Sequence, residues 1–211
     1  MALTASGAYI YFEYVCLVSL KGEAMVRIVI AILAMSAVLT LTAATGAMAQ
    51  KAIQVGDTMP GFFLKDMEGK DFFLNDHVGS KAKTKQRAMI FSLSASYCKP
   101  CRKEIPELDE MSGKYRDKGL GIYLIAVERK EQAEKLVRET KTSLPVLIDR
   151  YLVVPKLIGR EGIPCTLLVD GEGIVRFINT GFNEDNADEF IRRFEDAVAA
   201  VLDDGGDSPG E

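Results

Sequence analysis

Two cysteines three residues apart, Cys98 and Cys101, frame the segment Ser96-Tyr97-Cys98-Lys99-Pro100-Cys101. Thiols at this spacing suit the opening and closing of a disulfide between them, and its exchange with a disulfide on another molecule. The alternatives are a structural disulfide or half of a zinc site, which needs four Cys or His ligands. The chain supplies two more cysteines, Cys16 and Cys165, and one histidine, His77, with no second Cys-x-x-Cys. Redox chemistry is the stronger reading.

The surrounding elements support it. Ala88–Leu93 is an apolar run of strand length, and a polar, helix-forming stretch follows Cys101 to about Lys118, with Pro106 expected to kink it. A strand that turns directly into a helix puts Cys98 near the helix N-cap and Cys101 one turn along on the same side. First-turn amides and the helix dipole, equivalent to about half a positive charge, favour thiolate there. Lys99 and Arg102 add positive charge, so the Cys98 pKa is predicted to lie below the unperturbed value of about 8.5. Cys98 is then the nucleophile that forms a mixed disulfide, and Cys101 the thiol that resolves it.

The remaining pattern alternates strands and helices. Phe62–Leu64 and Phe72–Leu74 flank Asp66-Met67-Glu68-Gly69-Lys70, a hairpin signature. Gly121–Val127 and Pro145–Ile148 read as buried strands, and Lys130–Lys141 and Tyr151–Ile158 as helices. Thr166–Val169 and Ile174–Ile178 flank Asp170-Gly171-Glu172-Gly173, a second hairpin, and Glu184–Leu202 has an apolar face of Phe190, Phe194, Val198 and Val201. This order predicts a mixed α/β fold, one central sheet flanked by helices with an added N-terminal β-hairpin.

The chain has 211 residues, enough for one domain and an export segment, and its net charge of −4 argues against a nucleic-acid partner. Lys81, Lys83, Lys85 and Arg87 cluster, but read better as a solvated loop than as a docking patch; His77 likewise reads as a surface histidine. Met25-Val26-Arg27, the apolar run Ile28–Leu41 and the ending Ala47-Met48-Ala49 have the layout of a signal peptide cleaved after Ala49. Residues 1–24, acidic at Glu13 and Glu23, fit that layout badly and read as a gene-model extension, which leaves Cys16 without a role. An uncut anchor at Ile28–Leu41 is the alternative, though a span needs about 20 apolar residues. Residues 50–202 form the expected domain, outside the cytoplasm where disulfide chemistry is permitted, and residues 203–211 an acidic, Gly-containing tail expected to be disordered.

Three segments resemble the TlpA/ResA group of thioredoxin-like proteins. They are Phe91 to Leu108 around the cysteines, the AhpC/TSA-type hairpin region from Val55-Gly56-Asp57 through Lys70, and Gly162-Ile163-Pro164-Cys165-Thr166 through Gly173. The resemblance runs from about residue 53 to 200. It implies that Pro164 is a cis-proline beside the active site that helps bind an extended substrate strand, a specific expectation because cis bonds are uncommon even before proline. It implies a periplasmic disulfide reductase without a cofactor, acting on exported disulfide-bearing proteins such as apocytochromes c in cytochrome c maturation, and recharged by a membrane thiol electron donor.

The chain departs from that pattern in several places. Tyr97 replaces the usual Trp, and its ring is expected still to pack. Ser92 stands where thioredoxins carry a buried Asp that assists proton transfer; Glu104 is the nearest carboxylate in sequence, on a side that spacing alone leaves open. Cys165 follows Pro164 where Thr is common. It reads as a small, partly buried substitute, or as a third thiol joining Cys98 and Cys101 in a Cu(I) site of a metallochaperone. Lys99 and Pro100 complete the modulators between the cysteines. Peroxidase activity is the weakest reading, because Ser94-Ala95-Ser96-Tyr97-Cys98 lacks the Pro/Thr-containing loop of a peroxidatic cysteine.

Overall fold

A computed structural model describes residues 51–183, 185 and 187–204, together with 26, 27 and 30. The chain divides into two units, Met1–Ala49 and Gln50–Glu211, and the sheet and its helices belong to the second. The expected extension, the signal peptide, Cys16 and tail residues 205–211 lie outside the described residues apart from those three positions.

Seven strands form one mixed sheet: β1 (Phe63–Asp66), β2 (Asp71–Phe73), β3 (Ala88–Ser94), β4 (Leu120–Ala126), β5 (Val146–Ile148), β6 (Cys165–Asp170) and β7 (Val175–Thr180). Their order across the sheet is β2-β1-β5-β4-β3-β6-β7. β3, β4 and β5 are parallel, while β1–β2, β1–β5, β3–β6 and β6–β7 are antiparallel. Four helices connect or follow them: α1 (Lys99–Tyr115), α2 (Lys130–Thr140), α3 (Val153–Ile158) and α4 (Ala187–Asp204).

β3 is wholly buried, which explains why it is apolar but for Ser92 and Ser94. Its alternate residues face two different cores. Met89, Phe91 and Leu93 join Phe62, Leu64, Phe72, Val154 and Ile158 on one face. Ala88 and Ile90 join Ile105, Leu108, Leu136, Phe194 and Val198 of the helices on the other. The hairpin caps the first face through rings, with Phe62 edge-on to Phe91 at 5.4 Å and Phe72 stacked on His77 at 4.8 Å. His77 is thus half-buried, its Nδ1 within 3.1 Å of Thr84 Oγ1, and is not the solvated histidine expected. Lys83 and Lys85 of the basic cluster pair with Asp76 and Glu172.

Most boundaries shift by one to three residues from expectation, and two of the shifts have a clear cause. α3 begins at Val153, because Leu152 adopts a left-handed conformation (φ 57°) that cannot continue a helix. α4 takes in Asp203 and Asp204, which composition assigns to the tail; its buried Phe194, Val198 and Leu202 carry the helix to its end.

Candidate active site

The functional pair sits where β3 gives way to α1. Cys98 is the helix N-cap, with extended backbone, and Pro100 lies in the first turn, where its missing N–H costs nothing. Cys98 Sγ accepts a hydrogen bond from the Cys101 amide at 3.2 Å, so an unsatisfied first-turn donor points at the sulfur as spacing predicts. Cys98 and Cys101 are joined in a disulfide with their Cα atoms 5.3 Å apart. Both are buried, Cys101 completely, in a small apolar pocket with Ala95, Val127 and Ile163. The Ile163–Pro164 bond is cis, Pro164 is buried, and its carbonyl accepts the Gly181 amide at 2.7 Å.

A buried carboxylate stands one turn beyond Cys101. Glu104 accepts hydrogen bonds from Ser92 Oγ of β3 at 3.0 Å and Thr166 Oγ1 of β6 at 2.7 Å, so one side chain links α1 to both strands. Its spacing leaves the side open; its contacts place it toward the sheet, with Ser92 as its donor. Burial pushes its pKa from 4.5 up to about 7, against the lowering effect of the bonds from Thr166 and Ser92. A group that titrates near neutrality is suited to proton transfer.

Sequence reasoning missed the brace on the preceding loop. Glu128, buried just past β4, accepts the Ser96 amide at 2.7 Å and the Ser96 hydroxyl at 2.9 Å. Arg102 donates to the Ser96 carbonyl at 2.7 Å and pairs with Glu139 of α2 at 3.2 Å. Every polar group of Ser96 is thereby held two residues before Cys98, and the Arg102 charge is shared with Glu139. The available signal was positional: Glu128 follows the end of a parallel strand, where sites in α/β sheets gather.

Three expectations are corrected. The Tyr97 ring does not pack: it is 71% exposed, because the Ser96 brace holds the main chain while the side chain points outward. Lys99 and Pro100 are also exposed. Cys165 is fully buried, not partly so, and it packs with Leu93 and Leu167 in the core under the hairpin, outside the apolar pocket of the pair. Burial pushes its pKa up, against the lowering effect of a hydrogen bond from Thr180, opposite to the shift a ligand or nucleophile needs. Among the described residues no three Cys, His, Asp or Glu side chains gather to hold a metal ion, so Cys98, Cys101 and Cys165 are not brought together as a copper site. Among the same residues no helix is long and apolar enough to cross a membrane.

Strand order, helix placement and a disulfide at the first turn of α1 define a thioredoxin-like thiol–disulfide oxidoreductase. Residues 55–178 match the AhpC/TSA family, and the chain belongs to that family. It is 33% identical over 131 residues to the thiol–disulfide oxidoreductase ResA of Geobacillus thermodenitrificans, covering 62% of this chain and 71% of that protein. To ResA of Bacillus anthracis it is 31% identical over 160 residues, covering 74% and 86% respectively. Among solved structures, a Chlorobium tepidum protein assigned as thiol:disulfide interchange protein DsbE superposes with a TM-score of 0.62 at 26% identity, covering 72% of this chain and 99% of that one. Enzymes of this class act on disulfides carried by other proteins.

Proposed function

We propose that the protein is a periplasmic disulfide reductase, exported by residues 25–49 with cleavage after Ala49. In the reduced enzyme the Cys98 thiolate attacks one sulfur of a substrate disulfide. A Cys98–substrate disulfide forms, and the other substrate sulfur leaves with its electron pair and takes up a proton. Cys101 gives its proton to Glu104, attacks Cys98 Sγ and closes the Cys98–Cys101 disulfide, releasing the second substrate thiol. Two electrons pass from the pair to the substrate, and a membrane dithiol must return them.

The observation that carries the direction is Glu104. Stabilised thiolates make a pair oxidising, as in strong disulfide donors. A buried carboxylate one turn from Cys101, ionised above about pH 7, opposes a build-up of thiolate and makes the pair a better reductant. Pro164 follows Ile163, which packs against the pocket of the pair, and its backbone is the part that meets an extended substrate strand, in keeping with the family pattern. Tyr97, Lys99 and Pro100 meet the substrate from the other side. The resemblance to the TlpA/ResA group implies apocytochromes c as substrates, in cytochrome c maturation.

The test is interception. Cys101→Ser, mixed with a peptide carrying an oxidised haem-attachment Cys-x-x-Cys, is expected to accumulate a mixed disulfide through Cys98 that dithiothreitol releases. No adduct, or an adduct through Cys165, would overturn the assignment.

A further inference from the structure

Large apolar side chains left exposed in the Gln50–Glu211 unit collect at one end of the sheet. Tyr97 is 71% exposed, Tyr151 64%, Leu152 40%, Val153 36%, and the paired rings Phe63 and Phe73 43% and 45%. Because β3, β4 and β5 are parallel, Tyr97 and the 151–153 segment leave the sheet at the same edge, the one that carries Cys98. β1 runs antiparallel to β5 with Lys65 opposite Ile148, which puts Phe63 past the end of β5 at that edge, with Phe73 across from it. The one other such side chain described in this unit, Val55, lies beside Val175 at the far edge. Isolated surface apolar residues need no explanation, but six gathered at one end of a sheet do.

The display is held from beneath. Asp149 is buried, and its carboxylate accepts the amides of Val153 and Val154, each at 2.8 Å. Its own amide bonds Ala126 O at 2.8 Å, which ties it to β4. Between these anchors Leu152 takes φ 57°, a conformation uncommon for any residue but glycine, asparagine or aspartate. The fold keeps an exposed leucine where glycine would be easier.

We propose that this rim docks an extended apolar segment of the substrate polypeptide next to its target disulfide. The proposal rests on the oxidoreductase reading and deepens it, since the pair breaks the disulfide while the rim selects what flanks it. From β3 to β2 is four strand spacings, about 19 Å, the length of about six extended residues. The occupant follows from continuity with the site. A polypeptide disulfide that reaches Cys98 lays its flanking chain across the neighbouring strand ends, and a substrate not yet folded presents apolar side chains there.

The test uses the reduced full chain and three probes: a peptide disulfide flanked by six Leu, Val and Phe residues, the same peptide with Ser and Gly flanks, and oxidised glutathione. The apolar peptide is expected to be reduced about tenfold faster than the polar one, as for loss of one well-packed anchor. In Tyr151→Ser/Leu152→Gly that ratio should fall to near one, and the glycine suits the left-handed backbone, so the fold is kept. Equal peptide rates with glutathione still reduced, or a ratio the double variant retains, would overturn the docking proposal alone. A concentration-dependent dimer abolished by the double variant, with equal peptide rates, would give the rim to a second copy and also overturn it. Failure with all three probes would instead defeat the oxidoreductase reading, and the docking proposal with it.

Discussion

Replacing Glu104 by glutamine isolates the buried carboxylate while leaving its shape and a hydrogen-bonding group facing Ser92 and Thr166. A pKa raised from 4.5 to about 7, at about 1.36 kcal/mol per pKa unit, corresponds to about 3 kcal/mol. The sign follows from proton binding. Between these values the folded protein keeps its proton while the unfolded chain has lost it, so stability falls as pH rises. The contribution is fully present below about pH 4.5 and is lost by the time pH has risen through about 7. Glutamine has no proton to lose. Urea unfolding of oxidised wild type and Glu104→Gln at pH 4 and pH 8 should therefore show the stability difference moving by about 3 kcal/mol in favour of the variant at the higher pH. The difference cancels every other titrating group the two proteins share. A difference that stays constant between the two pH values would refute the reasoning, because it would mean that Glu104 is not held near neutrality by burial.

Glu128→Ala leaves the buried Ser96 amide and hydroxyl without their acceptor. It should cost about 1–3 kcal/mol in denaturant unfolding and change the rate at which Cys98 is alkylated in the reduced protein; an unchanged alkylation rate would reduce Glu128 to a purely structural brace. Cys165 should resist iodoacetamide in the native protein and react only on unfolding, because it is fully buried with a raised pKa. Cys165→Ala should leave the reduction potential of the pair unaltered, and a displaced potential would show that the third thiol takes part after all.

What the sequence made legible was what runs locally along the chain. The apolar run at Ala88–Leu93 could hardly be anything but a buried strand, and the polar, helix-forming stretch directly after it places Cys98 near a helix start. Contacts between distant segments were less legible. Glu104 meets Thr166 62 positions away, and Glu128 meets Ser96 32 positions away; no local periodicity records either pairing. The orientation of Tyr97 was misread for a related reason, since its exposure is decided by the grip of Glu128 and Arg102 on Ser96. Cys165 was misplaced because β-strand alternation, not sequence distance from Pro164, decides which core a side chain enters. Leu152 hid the start of α3 because a left-handed leucine has no signature in composition.

The most direct measurement is the reduction potential of the Cys98–Cys101 pair, equilibrated in glutathione buffers with each thiol mapped by alkylation. A two-electron transition confined to Cys98 and Cys101 is expected, with a value near that of thioredoxin, about −270 mV. A value near about −120 mV would identify an oxidant that installs disulfides, and it would contradict the role assigned to Glu104 and the direction of electron flow.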